Sequence, residues 1–200
     1  MSTKPVPKPK VLARDQLLKK LKLDSERLKH SLRVEKVALK LGQKWRVSKK
    51  KIIPAALLHD CARRYNARQL LRVARKLGLK IDPVRKYQPK LFHAEIGAYL
   101  AEKEFGIKSK EILRAIRFHT TGAPKMTKLE KIIYLADHIE EGRNFSGVEK
   151  MRKLAFKNLD LAVLESTNQM LKFLLKENLP IYFQTIETRN YYLNKFLRGL

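Results

Sequence analysis

Histidines and aspartates are the residues of this 200-residue chain whose types and positions could do chemistry. The dipeptide His59-Asp60 ends an apolar stretch at residues 55–58, and Asp137 ends a second one at residues 132–136. A carboxylate carried toward an apolar interior is costly to bury unless it is paired or bound to a cation. A metal shared by the two stretches would compensate both carboxylates.

Imidazole and carboxylate ligands together suit iron, manganese, zinc or another first-row cation. The chain has only one cysteine, Cys61, which argues against a structural zinc site. Apart from the adjacent pair, the candidate ligands are separated by 18 to 33 residues, which places them on separate helices: His30, His59, Asp60, His93, His119 and Asp137. Only the tertiary fold can gather them, and we expect such a site to be catalytic.

The elements that must position these groups are helices, because apolar residues recur at steps of three and four. The pairs Asn66 with Gln69 and Thr127 with Glu130 have the spacing of capping boxes. Five glycines follow apolar stretches, as left-handed C-cap positions would: Gly42, Gly78, Gly106, Gly122 and Gly142. The predicted helices cover residues 25–41, 50–62, 67–77, 92–105, 109–119, 127–141, 149–156, 158–177 and 183–197. The predicted fold class is all-α.

Pro54 bears on the helix that carries His59. A proline deep in a helix removes one hydrogen bond and clashes with the preceding turn. We therefore expect this helix to begin near Ile53 rather than at Ser48.

Composition and charge limit the class of protein. The chain is 44% hydrophobic and 32% charged, and its longest apolar run has seven residues, so we expect a folded cytoplasmic protein without a membrane span. Residues 1–20 are predicted to form a basic, partly disordered arm, and residues 21–200 a single domain. A formal net charge of +26 predicts attraction to polyanions.

Several motifs together resemble a known family. The ordered set of His30, His59-Asp60 and Asp137 resembles the ligands of HD-domain metal-dependent phosphohydrolases. The sequences Leu-Leu-His-Asp-Cys-Ala at 57–62, His-Thr-Thr-Gly at 119–122 and Tyr-Leu-Ala-Asp-His-Ile-Glu at 134–140, with Arg143 and Phe145, are similar to those of YqeK-type symmetrical diadenosine tetraphosphate hydrolases. The similarity covers roughly residues 25–195.

The resemblance implies an HD-domain helical bundle with two divalent metals, iron being associated with the family. It implies that His30, His59, Asp60 and Asp137 hold one metal, and that Asp60 bridges to a second metal held by His93 and His119. It also implies cleavage of dinucleoside tetraphosphates in the middle of the bridge, giving two nucleoside diphosphates. Chemically, a water shared by two cations could lose its proton and attack phosphorus as a bridging hydroxide.

Nearby residues are candidates for contacts with the phosphates. Cationic side chains could stabilise the charge that develops during the reaction, and we assign this role to Arg63, Lys125 and Arg143. Hydrogen-bond donors to the substrate are expected from Thr120, Thr121 and the backbone of Gly122. The place of Phe145 in the motif makes it the candidate for contact with a nucleobase.

One residue departs from the family pattern. Many HD enzymes have a lysine where this chain has Arg63, which replaces a point charge with a planar fork. This puts in doubt any role that needs a lysine amine.

Other residues near the motifs have simpler interpretations. His138 is interpreted as a surface residue or a neighbour of the ligands, and Cys61 as a small core residue. Glu140 and Glu141 are interpreted as a solvated helix end, with acceptors for the metal ligands as the alternative. The C-terminal aromatic residues are interpreted as core or as packing in a homodimer.

Alternative functions stay open at this point. The same metal site could act on another nucleotide, such as a nucleoside phosphate or an alarmone. The basic surface could bind RNA or the ribosome, with a residual metal site, or it could reflect a lysine-rich genome or adaptation to high temperature.

Overall fold

The structure of the chain is a computed structural model that describes residues 12–197. Over this range the chain folds into eleven α-helices without strands: α1 (Arg14–Lys20), α2 (Ser25–Trp45), α3 (Lys49–Leu58), α4 (Ala67–Lys76), α5 (Pro83–Tyr87), α6 (His93–Lys103), α7 (Lys110–Phe118), α8 (Lys128–Ile139), α9 (Val148–Lys157), α10 (Leu159–Lys176) and α11 (Phe183–Leu197). Two 3-10 turns, Cys61–Arg64 and Pro89–Phe92, precede α4 and α6. The predicted all-α class is confirmed.

Helix α3 lies at the centre of the fold. It packs against α1, α2, α7 and α8, and Ile52 and residues 55–58 are fully buried. A helix segment that is apolar on all sides, as residues 52–58 are, is typical of one enclosed by others, and each buried Leu or Ile contributes about 1.5–3 kcal/mol. The dipeptide His59-Asp60 is therefore delivered to the interior at the end of a buried apolar segment.

The start of α3 corrects the prediction made from Pro54. The helix begins at Lys49, after the N-cap Ser48, and includes Pro54. Proline removes the bond to the carbonyl four residues earlier, which belongs to the exposed Lys50 and can be solvated instead. The lost hydrogen bond is therefore tolerated.

Two of the five glycine predictions are wrong. Gly78, Gly106 and Gly122 have positive φ as expected, but Gly42 lies inside α2 and Gly142 has no positive φ. The turn after α2 is made by Arg46, with φ 57°. A Cβ at position 42 would lie 2.0 Å from Ile52 Cδ1, so this glycine allows α2 and α3 to approach closely.

Part of the segment predicted as an N-terminal arm is folded. Residues 12–20 belong to the folded part, since α1 packs on α3 and Leu17 is buried. Residues 1–11 lie outside the described range. The short helices α1 and α5 were not predicted: Ala13 offers α1 no side-chain cap, whereas Asp82 and Pro83 are a recognisable start for α5.

The other boundaries agree with the prediction to within a few residues. Both predicted capping boxes are present, at the starts of α4 and α8. None of the helices between residues 12 and 197 is both long and apolar enough to span a membrane.

Candidate metal centre

The structure brings all six predicted ligands together from five helices. His30 lies on α2, His59-Asp60 directly follows α3, His93 begins α6, His119 follows α7, and Asp137 lies in the last turn of α8. Their ligand atoms lie within 4.8 Å of one another in each of three overlapping sets: His30, His59 and Asp60; His59, His119 and Asp137; and Asp60, His93 and His119.

The six groups form two halves that share the carboxylate of Asp60. In one half, Nε2 of His30 lies 3.1 Å from Oδ1 of Asp137 and 3.3 Å from Nε2 of His59. In the other, Oδ1 of Asp60 lies 3.2 Å from Nε2 of His93 and 3.5 Å from Nε2 of His119. The second oxygen of Asp60 lies 3.8 Å from Nε2 of His59, so this carboxylate faces both halves.

Each imidazole uses its Nδ1 to contact an acceptor. His59 Nδ1 lies 2.6 Å from the carbonyl of Ala56, His119 Nδ1 lies 2.7 Å from the carbonyl of Ile116, and His93 Nδ1 contacts the carbonyl of Lys90. His30 Nδ1 lies 3.2 Å from Oε1 of Glu140. A carbonyl or carboxylate oxygen only accepts, so Nδ1 carries a proton in all four rings. Nε2 of His30 lies 3.1 Å from Asp137 and can carry a second proton when no metal is bound.

This arrangement fits bound cations. A neutral imidazole protonated at Nδ1 has a bare lone pair at Nε2. The Nε2 atoms of His93 and His119 nevertheless lie 3.0 Å apart, and those of His30 and His59 lie 3.3 Å apart. Facing lone pairs repel each other, whereas a metal ion between them would be coordinated by both, and a fixed Nδ1–H is the usual arrangement of a metal-binding histidine.

Burial and charge shift the pKa values of four ligands in the direction that metal binding needs, whereas at His30 burial is outweighed by the contact with Asp137, which raises the pKa. Burial lowers the pKa of His59 to about 4, and it also lowers that of His93. Burial alone would raise the pKa of Asp60 and of Asp137, but the surrounding histidines hold both pKa values well below the usual range. Neutral imidazoles and ionised carboxylates are the forms that bind metals.

Three of the residues predicted to contact phosphate lie at this centre. Nε of Arg63 is 3.2 Å from Oδ1 of Asp60, and Nη2 of Arg143 is 2.6 Å from Oδ1 of Asp137. The hydroxyl of Thr120 lies 3.1 Å from Nε2 of both His93 and His119. Each half of the centre therefore has one guanidinium, and the half with His93 and His119 also has a hydroxyl.

The remaining predicted contacts are placed differently. The N–H of Gly122 already donates to the carbonyl of Phe118, so the expectation that it donates to substrate does not hold in this structure. Thr121 donates to the carbonyl of Gly122 and lies beside the centre without a described contact to the six groups. Lys125 is exposed in the turn before α8, and Phe145 is exposed in the same loop as Arg143.

Sequence reasoning gave the role of Glu140 only as an alternative and missed those of Thr188 and Gln184. Glu140 is not a solvated helix end: its side chain is 2% exposed and contacts both His30 and Arg33. Thr188 and Gln184 of α11 donate to the carbonyls of Thr121 and Gly122. A helical pattern gives no signal for such contacts, because the partners are 62 to 110 residues apart.

Two simpler interpretations agree with the structure. His138 is half-buried, packs on the ring of Tyr134 and belongs to none of the three sets of ligand atoms. Cys61 is buried, and burial raises the pKa of its thiol to about 12, which makes it inert. Glu141, unlike its neighbour, is exposed and pairs with Lys36.

Comparison with known proteins agrees with this geometry. The HD domain family matches residues 27–142. The symmetrical bis(5'-nucleosyl)-tetraphosphatase of Bacillus subtilis is 37% identical over 86% of this chain and 92% of its own length. The protein of that name from Halalkalibacterium halodurans is 40% identical over 84% of this chain and 89% of its own length.

A solved structure shares the fold. The crystal structure of an HD superfamily hydrolase from Clostridium acetobutylicum, described as involved in NAD metabolism, matches with a TM-score of 0.88 and 36% identity. The match covers 93% of this chain and all of that one. The predicted HD-domain bundle is confirmed, and the chain belongs to the HD domain family and, within it, to the family of the symmetrical bis(5'-nucleosyl)-tetraphosphatases.

Proposed function

We propose that this chain hydrolyses dinucleoside tetraphosphates, diadenosine tetraphosphate among them, symmetrically into two nucleoside diphosphates. The observation that carries the proposal is the convergence of six histidine and aspartate groups in a chain that matches the symmetrical bis(5'-nucleosyl)-tetraphosphatases over most of its length. The same convergence argues against a purely structural role, because burying these carboxylates costs free energy that a bound cation would offset.

The two halves of the centre would each hold one divalent metal. His30, His59, Asp60 and Asp137 would hold the first, and Asp60, His93 and His119 the second. The facing Nε2 atoms in each half support this assignment. We propose iron as the native metal, with manganese as the next candidate, since imidazole and carboxylate ligands suit both.

Two such cations, when bound, would supply a nucleophile near neutral pH and neutralise phosphate oxygens. The residues of this chain would orient the bridge between the nucleosides. Arg63 and Arg143, one beside each half, would bind phosphate oxygens and stabilise the charge that develops on the departing diphosphate. Thr120 would donate its hydroxyl to a phosphate oxygen close to His93 and His119. Thr121, Lys125 and Phe145 would contact the substrate farther from the centre.

The products test the proposal directly. Protein loaded with Fe(II) or Mn(II) should convert diadenosine tetraphosphate to ADP alone, and ATP with AMP would exclude symmetric cleavage. His119→Gln should abolish the activity, whereas the matched control His138→Gln, outside the ligand sets, should keep it. If diadenosine tetraphosphate stays intact, a panel of nucleoside phosphates and alarmones identifies the alternative substrate.

RNA is a second candidate partner, and helix α4 favours it. Its exposed face carries Arg68, Arg72, Arg75 and Lys76, and the helix has no acidic residue. Such a stripe can follow a phosphate backbone, in which case the affinity falls steeply with salt. Replacing Arg68, Arg72 and Arg75 with glutamine should weaken binding of structured RNA, whereas replacing Lys172 and Lys176 of α10 should not. Salt-independent binding, or none, would exclude this role.

Location and assembly complete the proposal. We place the protein in the cytoplasm, because its single cysteine suits a reducing compartment. The homodimer stays a prediction, which the mass of the protein in solution tests.

A further inference from the structure

Glu140 is a buried carboxylate beside the candidate metal centre. It follows the last residue of α8, where its backbone leaves the helix, and its side chain is 2% exposed. Burying a charge at this depth is unfavourable unless its oxygens are satisfied. The contacts of the two oxygens therefore indicate what the carboxylate does.

One oxygen of Glu140 is held by its surroundings, and the other faces His30. Oε2 accepts from Nε of Arg33 at 2.5 Å and from the backbone N–H of Gly142 at 2.6 Å. Oε1 lies 3.2 Å from Nδ1 of His30, with Nη2 of Arg33 at 3.5 Å. Both oxygens of Glu140 are therefore surrounded by donors, as a buried carboxylate requires.

His30 has no other fixed acceptor for its Nδ1 proton among these contacts. It lies inside α2, where backbone carbonyls are occupied by the helix itself, whereas His59 and His119 follow helix ends and use carbonyls of the last turn. Without Glu140, the ring could rotate or carry its proton on Nε2. Either change would leave Nε2 less able to bind a cation between Asp137 and His59.

We propose that Glu140, held by Arg33, is the positioning residue for His30: it fixes the proton on Nδ1 and directs Nε2 into the half of the centre formed with Asp137 and His59. The proposal rests on the metal site proposed above. Glu140 does not touch the substrate in this account. Oε1 of Glu140 also lies 3.7 Å from Nε of Arg143, so activity alone does not isolate its effect on His30, whereas metal content does.

Metal content is the first test. Glu140→Ala should bind one of two Mn(II) ions about 10–100-fold more weakly, as the loss of such outer contacts does elsewhere, while the second ion stays bound. Because the effect passes through the metal, kcat should fall while KM changes little. Glu140→Gln keeps one acceptor oxygen and should recover part of the loss. Glu141→Gln, at the exposed neighbouring position, is the matched control and should behave as the unchanged protein.

The Nδ1 proton of His30 is the second test, and it needs no metal. In the metal-free protein, Glu140 should hold this proton in a hydrogen bond that slows its exchange with solvent, and Glu140→Ala should speed the exchange, as NMR of the ring would show. Unchanged manganese binding and unchanged exchange would overturn the proposal, as would equal loss of both ions in a folded variant. If the unchanged protein binds no pair of metals, the proposed function fails, but the exchange of the Nδ1 proton still decides the role of Glu140.

Discussion

The histidines of the centre are positioned by two different means. His59, His93 and His119 each donate to a backbone carbonyl three residues earlier, in the turn that delivers them. His30 instead depends on a side chain that is 110 residues away in the sequence. Both arrangements leave Nε2 facing the centre, but only the second can be deleted by replacing a side chain.

The difference follows from where each histidine lies on its helix. The last carbonyls of a helix have no partner within it, so a histidine just beyond the end can bond one of them. His30 is the sixth residue of the 21-residue helix α2 and has no such carbonyl. A ligand in a helix interior therefore needs help from another element, and this makes its half of the centre more sensitive to mutation.

Asp60→Asn should have the largest effect, because this carboxylate belongs to both halves. We expect activity to fall on the order of 10³-fold, through loss of charge stabilisation at both metals. Elemental analysis should show that neither metal is retained. The control is Asp160→Asn, which removes a carboxylate bound by Lys131 and Lys195 away from the centre. Retention of one full metal equivalent would show that Asp60 is not shared.

Gly142→Ala should affect only the half of the centre that contains His30. A Cβ there would lie 2.9 Å from Nε and Nη2 of Arg33, at the flexible end of that side chain. Arg33 can move away at little cost in stability, but it then releases Glu140. We expect about 10-fold weaker binding of one metal with the melting temperature nearly unchanged.

Loss of stability without loss of metal would contradict this prediction. That result would show that His30 keeps its position without Arg33. The second ion, bound near His93 and His119, serves as the internal control.

Most of the fold and the identity of the candidate ligands could be predicted because they depend on local patterns. Helical periodicity and caps such as Thr127 with Glu130 act within a few residues, and a carboxylate ending an apolar helix, as Asp60 does, requires compensation wherever the helix lies. The extension of α2 through Gly42 could not be predicted. It depends on the close approach of Ile52 from another helix.

The residues that hold the ligands could not be singled out either, because their contacts also join elements that are distant in the sequence. Glu140 and Glu141 are adjacent acidic residues at a helix end, and the sequence treats them alike. The structure buries one against His30 and exposes the other. Burial at this position is decided by the packing of α2 against α8, which no local pattern records.

Gly122→Ala tests the half that is positioned by backbone. Gly122 has φ +66°, and an added Cβ would lie 2.6 Å from Cγ2 of Thr188, in the turn that carries His119 and Thr120. The left-handed conformation alone should cost about 1–2 kcal/mol of the free energy of unfolding. Gly106→Ala is the matched control, because its φ is +69° and its Cβ would meet nothing within 4 Å.

We expect Gly122→Ala to lower the free energy of unfolding by more than Gly106→Ala does, as measured in urea. The difference between the two losses measures the contribution of the contact between the turn and α11. Equal losses would show that α11 does not restrain the turn.

The smallest expected effect is the difference between the pKa values of His30 and His59 in the metal-free protein. Burial lowers the pKa of His30, but its contact with Asp137 outweighs this and raises it above 6.5, whereas burial lowers that of His59 to about 4. At about pH 5.5, His30 should therefore be protonated and His59 neutral in the folded protein, as their NMR shifts would show.

The two shifts act on stability in opposite directions. The raised pKa of His30 contributes stability below about pH 6.5 that is lost as the pH rises through the folded value, whereas the lowered pKa of His59 costs stability as the pH falls from 6.5 toward 4. Asp137→Asn should lower the pKa of His30 most, because it removes a direct contact, and should lower that of His59 less, because Asp137 acts on it by charge alone. If the two histidines titrate together near their ordinary pKa, their different contacts do not set His30 apart from His59.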